Sequence, residues 1–233
     1  MSASVLAAIA LGIGFGGLHI EAAGASLGIG ACAGLVSLWG ERARPWKIPR
    51  PDAWGWAAIV IFALFGLRAF LWLIFRASGE IYVLSPNNLG DMSLHLTYIN
   101  LLAQGEPFWP DNPILAEQKL TYPLGVDLFN SLLTLAGMEV FCGLIVVGII
   151  GAACTGAALW RWGGAFVIAG FLFNGGTEGI QWFRNGFESG DWRLLDFQAE
   201  AAWKSIPLAL FVTQRGFLYA LPAGYPPAAI AVV

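Results

Sequence analysis

Hydrophobic residues run along this chain in long blocks, and the alternation expected of half-buried strands is missing. Residues 2–18 are a Gly/Ala-rich apolar run, His19 and Glu21 interrupt it, and 22–39 form a second run ending in Leu38-Trp39. This pattern predicts a tight helical hairpin. A third span is expected over 53–77, followed by a long polar stretch. Apolar sequence resumes at Leu124, where Gly137-Met138-Glu139 divides it into a short stretch able to lie at a membrane interface and a better span, 140–160, closed by Arg161. A fifth, shorter segment starts at Gly163 and reaches Asn174-Gly175-Gly176, and a last apolar run covers 206–233. A helix crossing the hydrocarbon core needs about 20 apolar residues, so roughly five or six crossings fit. The fold class expected is all-α: a polytopic transmembrane helical bundle whose outer-face loops carry short interfacial helices.

Composition agrees. Of 233 residues, 58% are hydrophobic and 12% charged, against about 25% charged in soluble domains. The apolar excess excludes disorder, and a net charge of −3 without a basic block speaks against nucleic acid as a partner. The most basic stretch, Arg42, Arg44, Lys47 and Arg50, lies between Gly40 and Asp52, and short basic loops are retained on the cytoplasmic side. The loop from 78 to 124 is acidic, with Glu80, Asp91, Glu106, Asp111 and Glu117 against Lys119, as suits the outer side. A second outer loop is expected over 177–205. The N-terminus is then cytoplasmic. It lacks the basic n-region of a cleavable signal, so the first run is read as a retained membrane segment. The apolar run still open at Val233 reads as the front part of something longer or as a truncated product. Cys32, Cys142 and Cys154 lie in apolar runs and are odd in number, so no disulfide framework is specified, and buried thiols are expected.

The densest polar constellation is 87–98, Asn-Asn-Leu-Gly-Asp-Met-Ser-Leu-His-Leu-Thr-Tyr. A helix over 91–103 sets Asp91 and His95 four residues apart on one face. Such a pair is able to take a proton from a hydroxyl nucleophile or to help hold a divalent cation. The alternative is that Asp91 caps the helix N-terminus. Downstream, Gly105-Glu106-Pro107-Phe108-Trp109 leads to Tyr122-Pro123-Leu124-Gly125-Val126-Asp127, a turn entering a new helix.

A Gly-Asp with a His four further on, then Gly-x-Pro, then Tyr-Pro-x-Gly entering an apolar helix resembles the GT-C superfamily of membrane glycosyltransferases. That superfamily includes the dolichyl-phosphate-mannose protein mannosyltransferases and the bacterial lipid-A aminoarabinose transferase. The resemblance covers roughly residues 53–233. Two parts are therefore expected, an added hairpin over 1–40 and a core over 41–233. The resemblance implies inverting transfer of a sugar from a polyprenyl-phosphate carrier to a lipid, glycan or protein acceptor on the extracytoplasmic face. Asp91 matches the family's outer-loop aspartate and would act as base or orient the acceptor, with His95 beside it. Where family members often have a second acidic neighbour or a His after the Tyr-Pro turn, Met92 and Asp127 stand here. A divalent cation is therefore not specified.

A lipid phosphate lies at headgroup depth and calls for cations there. The candidates are Arg184, Arg193, Lys204 and Arg215. Arg215 sits in an apolar run and either meets an anionic ligand, snorkels, or pairs with Glu178 or Asp196. Arg68 is read as snorkelling. Most of the 11 tryptophans fall near span ends, where interfacial anchoring accounts for them. Trp109 and Trp182, inside the outer loops, are candidate substrate contacts together with Tyr122 and Asp127. Gly12-Ile13-Gly14-Phe15-Gly16-Gly17 matches a dinucleotide pattern only formally, and close helix packing explains it better. Two other readings compete with the enzyme: a transporter or flippase for a lipid-linked substrate, and a non-catalytic membrane scaffold.

Overall fold

The computed structural model describes residues 1–41, 50–83, 86–174, 184, 186–190, 210–212 and 214–223. The chain is mostly helical. Helices α1 (Ser2–Phe15) and α2 (Ile20–Glu41) form the expected hairpin, followed by α3 (Ala53–Leu71), a strand pair β1 (Ile74–Ala77) and β2 (Glu80–Val83), α4 (Pro86–Ala103), α5 (Gly125–Leu135), α6 (Val140–Leu172) and α7 (Arg215–Ala223). Three segments, Ile20–Gly40, Ala53–Leu71 and Val140–Leu172, are long and apolar enough to cross a membrane. Large apolar side chains stand exposed along them, among them Trp39 at 78% and Trp54 at 80%. A water-soluble surface does not carry such a density of them, so these faces belong against lipid or another apolar medium.

The all-α expectation is corrected at one place. The span expected over 53–77 ends at Leu71, and 74–83 turns back as an antiparallel hairpin with Phe75 opposite Tyr82. The connecting Ser78 and Gly79 have φ of 54° and 83°, the pair of positive values that a two-residue hairpin turn of primed type needs. An apolar run fits a helix end or a short strand equally well, and the turn decides it.

The chain divides into two compact units, Met1–Ile48 with Leu71–Ile149, and Pro49–Phe70 with Ile150–Val233. In the first, the α1–α2 hairpin closes on itself through small residues: a Cβ at Gly30 would run into Ser4. The helix turn is stopped by Gly16 at φ 73°, a left-handed position that glycine adopts without Cβ strain. Gly12 lies against Phe108, and Gly17 against the carbonyl of Gly105. The formal dinucleotide pattern is thus a packing pattern. The hairpin expected as an added element shares one core with the outer-loop region: Ala8, Leu18 and Ala23 are buried together with Tyr98, Leu102, Leu120, Leu124, Leu128 and Leu132.

In the second unit α3 is capped by Asp52, whose Oδ1 accepts from Gly55 N–H at 2.7 Å. Phe211 is fully buried, and the rings of Phe62, Phe65, Phe70 and Phe171 lie 5.6–6.0 Å from it or from one another, separations at which aromatic pairs attract. Gly156 admits Phe62, and Thr155 Oγ1 donates to Leu218 O at 2.9 Å. Helix α6 is broken at Gly163 and Gly164, whose φ values are −172° and 60°, at the point where the sequence separates one apolar segment from the next. The expectation of buried thiols fails: Cys32, Cys142 and Cys154 are free and exposed. Apolar sequence around a cysteine does not distinguish a core-facing position from a lipid-facing one.

Candidate functional site

Helix α4 begins at Pro86, so Asp91 lies in its second turn and cannot serve as its cap. Its buried face carries Met92, His95, Tyr98, Ile99 and Leu102, the i, i+3, i+4 recurrence of a helix packed on one side. Asp91 is half-buried at the margin of that face. Among the described residues it forms no hydrogen bond or ion pair.

His95 is not held by Asp91. Its Nδ1 lies 2.8 Å from Oδ1 and 3.0 Å from Oδ2 of Asp127 on α5. Both partners are deeply buried, His95 at 6% and Asp127 at 1% exposure. Asp127, expected as a substrate contact, is placed in the interior as the partner of His95. It faces inward from the first turn of α5, where the N-terminal dipole also favours its charge. The short stretch expected to lie at an interface is thus held in place by packing, with Val126, Leu128 and Leu132 of the same helix also buried.

The seam between α4 and α5 is polar along one stripe of α5. Ser131 Oγ donates at 2.8 Å to Asp127 O and lies 3.0 Å from Ile99 O across the seam. Asn130 Nδ2 donates to Val126 O at 3.0 Å, and Thr134 Oγ1 to Asn130 O at 3.0 Å. Two buried side-chain atoms lack a hydrogen-bond partner among the described residues, His95 Nε2 and Asn130 Oδ1. Asn130, Ser131 and the pairing of Asp127 escaped the reading of the sequence. The signal was present as four polar residues at i, i+3, i+4 and i+7 in an otherwise apolar helix.

Aromatic rings close the seam. Tyr122 stands edge-on to His95 with centroids 6.2 Å apart and packs on Tyr98 at 5.1 Å. Burial, and then the negative charge of Asp127, push the Tyr98 hydroxyl above its ordinary value of 10.0. Tyr122 thus lies half-buried beside His95.

The remaining candidates are dispersed. Trp109 is 49% exposed and meets the Phe108 ring at 5.2 Å. The loop that carries it is fixed by Lys119 Nζ, 2.7 Å from Asp111 Oδ1, and by the Asx turn of Asn112. Arg184 is exposed, and its Nε donates to Glu188 Oε1 at 2.7 Å. Arg215 opens α7. Trp182, Arg193 and Lys204 lie outside the described residues. Among the described residues no three of His, Cys, Asp and Glu converge as a metal centre would require. Arg76 spans 3.9 Å to Glu139 Oε1 and covers the Phe141 ring at 4.8 Å, so it serves the start of α6.

The geometry holds the His95 imidazole in one orientation against Asp127, and Asp91 stands one turn earlier on the same helix. Comparison with family models, with curated proteins and with solved structures returns no match.

Proposed function

We propose that this chain is a multi-pass membrane glycosyltransferase of the GT-C kind, moving a sugar from a polyprenyl-phosphate carrier to an acceptor hydroxyl on the extracytoplasmic face. One observation carries the reading. Asp91 offers a half-buried carboxylate, unpaired among the described residues, one helical turn before a histidine that is itself fixed by a second carboxylate. A carboxylate one helical turn from an oriented imidazole is the equipment of acid-base chemistry on a hydroxyl. In this reading Asp91 accepts the proton or orients the acceptor, and Arg184, Lys204 and Arg215 are the cations for the donor phosphate. The N-terminus and the basic 42–50 stretch are cytoplasmic. The test is transfer of a labelled sugar from a synthetic polyprenyl-phosphate sugar to endogenous acceptors in membranes containing the chain. Asp91→Asn should abolish transfer without changing insertion, and wild-type turnover by that variant removes Asp91 from the mechanism.

One feature favours a second reading, a transporter for a lipid-linked substrate. The long apolar helix α6 is broken at Gly163–Gly164, and interrupted helices mark binding sites in transporters. In vesicles, movement of the labelled carrier across the bilayer without transfer of its sugar would select that reading.

A further inference from the structure

We infer that the α4–α5 seam contains a binding site for a hydroxyl donor, with His95 Nε2 as its acceptor and Asp127 as the residue that positions it. An ionised carboxylate only accepts hydrogen bonds. Both Asp127 oxygens lie within 3.0 Å of Nδ1, so Nδ1 carries the hydrogen. The other ring nitrogen is buried and has no partner among the described residues. A second N–H there would be a buried donor with no acceptor among the described residues, so Nε2 is assigned the lone pair. The second unpartnered buried atom, Asn130 Oδ1, is also an acceptor, because its amide nitrogen already donates to Val126 O at 3.0 Å. What these two atoms lack, among the described residues, is a donor. A buried acceptor left unsatisfied costs roughly 1–3 kcal/mol, which an incoming O–H relieves. Tyr122, edge-on to the imidazole with centroids 6.2 Å apart, walls the ring on one side.

The donor is either water or a hydroxyl of a ligand. The inference rests on the transfer reading only in naming that ligand as the acceptor alcohol. The chain has 2 histidines, so the 233-residue chain carrying His19→Gln, labelled with 15N-histidine in lipid nanodiscs, reports His95 alone. The expected spectrum has hydrogen on Nδ1 and a bare, hydrogen-bonded Nε2, with Asp127→Asn moving the hydrogen towards Nε2. Octyl glucoside is the probe: a saturable shift of the Nε2 resonance identifies a ligand hydroxyl, and a hydrogen-bonded Nε2 insensitive to it identifies water. Hydrogen on Nε2 in the protein with Asp127 intact, or a bare Nε2 free of any hydrogen bond with and without the probe, overturns the site. If Asp127→Asn fails to fold, the spectrum of the Asp127-containing protein decides alone. The measurement reads the ring itself, so it stands or falls independently of whether sugar is transferred.

Discussion

Replacing either member of the buried pair by leucine should expose an asymmetry. With His95→Leu, the Asp127 carboxylate remains at 1% exposure with no partner for its side chain, and leaving a buried charged acceptor unsatisfied costs more than the roughly 1–3 kcal/mol of a neutral group. With Asp127→Leu, the stranded group is a neutral imidazole, whose lost hydrogen bond costs about 1–3 kcal/mol. The double variant fills the seam with apolar side chains and should be close to the unmodified protein or within about 1–2 kcal/mol of it, since replacing a buried pair as a unit is often neutral. The coupling between the two sites is therefore large and favourable, of the order of the smaller single effect or more. Thermal and denaturant unfolding of the purified chain in a fixed detergent, followed by circular dichroism, gives the three differences. The Ser131 hydrogen bond survives the swap, because it goes to the backbone carbonyl of Asp127 at 2.8 Å rather than to its side chain. Additive single effects, each below about 1 kcal/mol, would show that the pair is not desolvated, and the binding site inferred at Nε2 would go with it.

Other expectations follow from single features. Asp91 has no described partner, so Asp91→Asn should alter unfolding by no more than about 0.5 kcal/mol while removing transfer activity; an equal loss of stability would make its role structural. Arg215→Gln should weaken use of the lipid donor more than binding of the acceptor, read as separate titrations of the two substrates. Tyr98 keeps its proton in the folded state above the ordinary value of 10.0, so it favours folding below that pH and loses the contribution as pH rises through its raised folded value. Tyr98→Phe should flatten the alkaline decline in stability, and an unchanged decline would assign it to other groups. At Gly17, with φ 150° and a Cβ position that meets the Gly105 carbonyl, alanine should cost at least about 1–3 kcal/mol in unfolding, against little change for alanine at the open position Gly14.

How much of this was legible in the sequence follows from the range of each interaction. The hairpin, the start of α3 near Trp54 and the break at Gly163 depend on local apolar runs and on glycine, so they can be read along the chain. The face shared by Asp91 and His95 was legible for the same reason. The partner of His95 was not, because Asp127 is 32 residues away and meets it only when α5 packs on α4. Nor could hydropathy tell the exposed Cys32 and Cys154 from core residues, because lipid-facing and core-facing positions of an apolar helix share one polarity. Those two failures bear on function in opposite ways. Misplaced thiols change nothing in the chemistry, whereas moving Asp127 from the surface to the seam converts a loose list of polar residues into an ordered acceptor. A lone carboxylate on a helix can be matched by many surface positions. A carboxylate followed one turn later by an imidazole locked from behind by Asp127 is a more specific arrangement, and the proposed catalytic reading rests on it in preference to the scaffold.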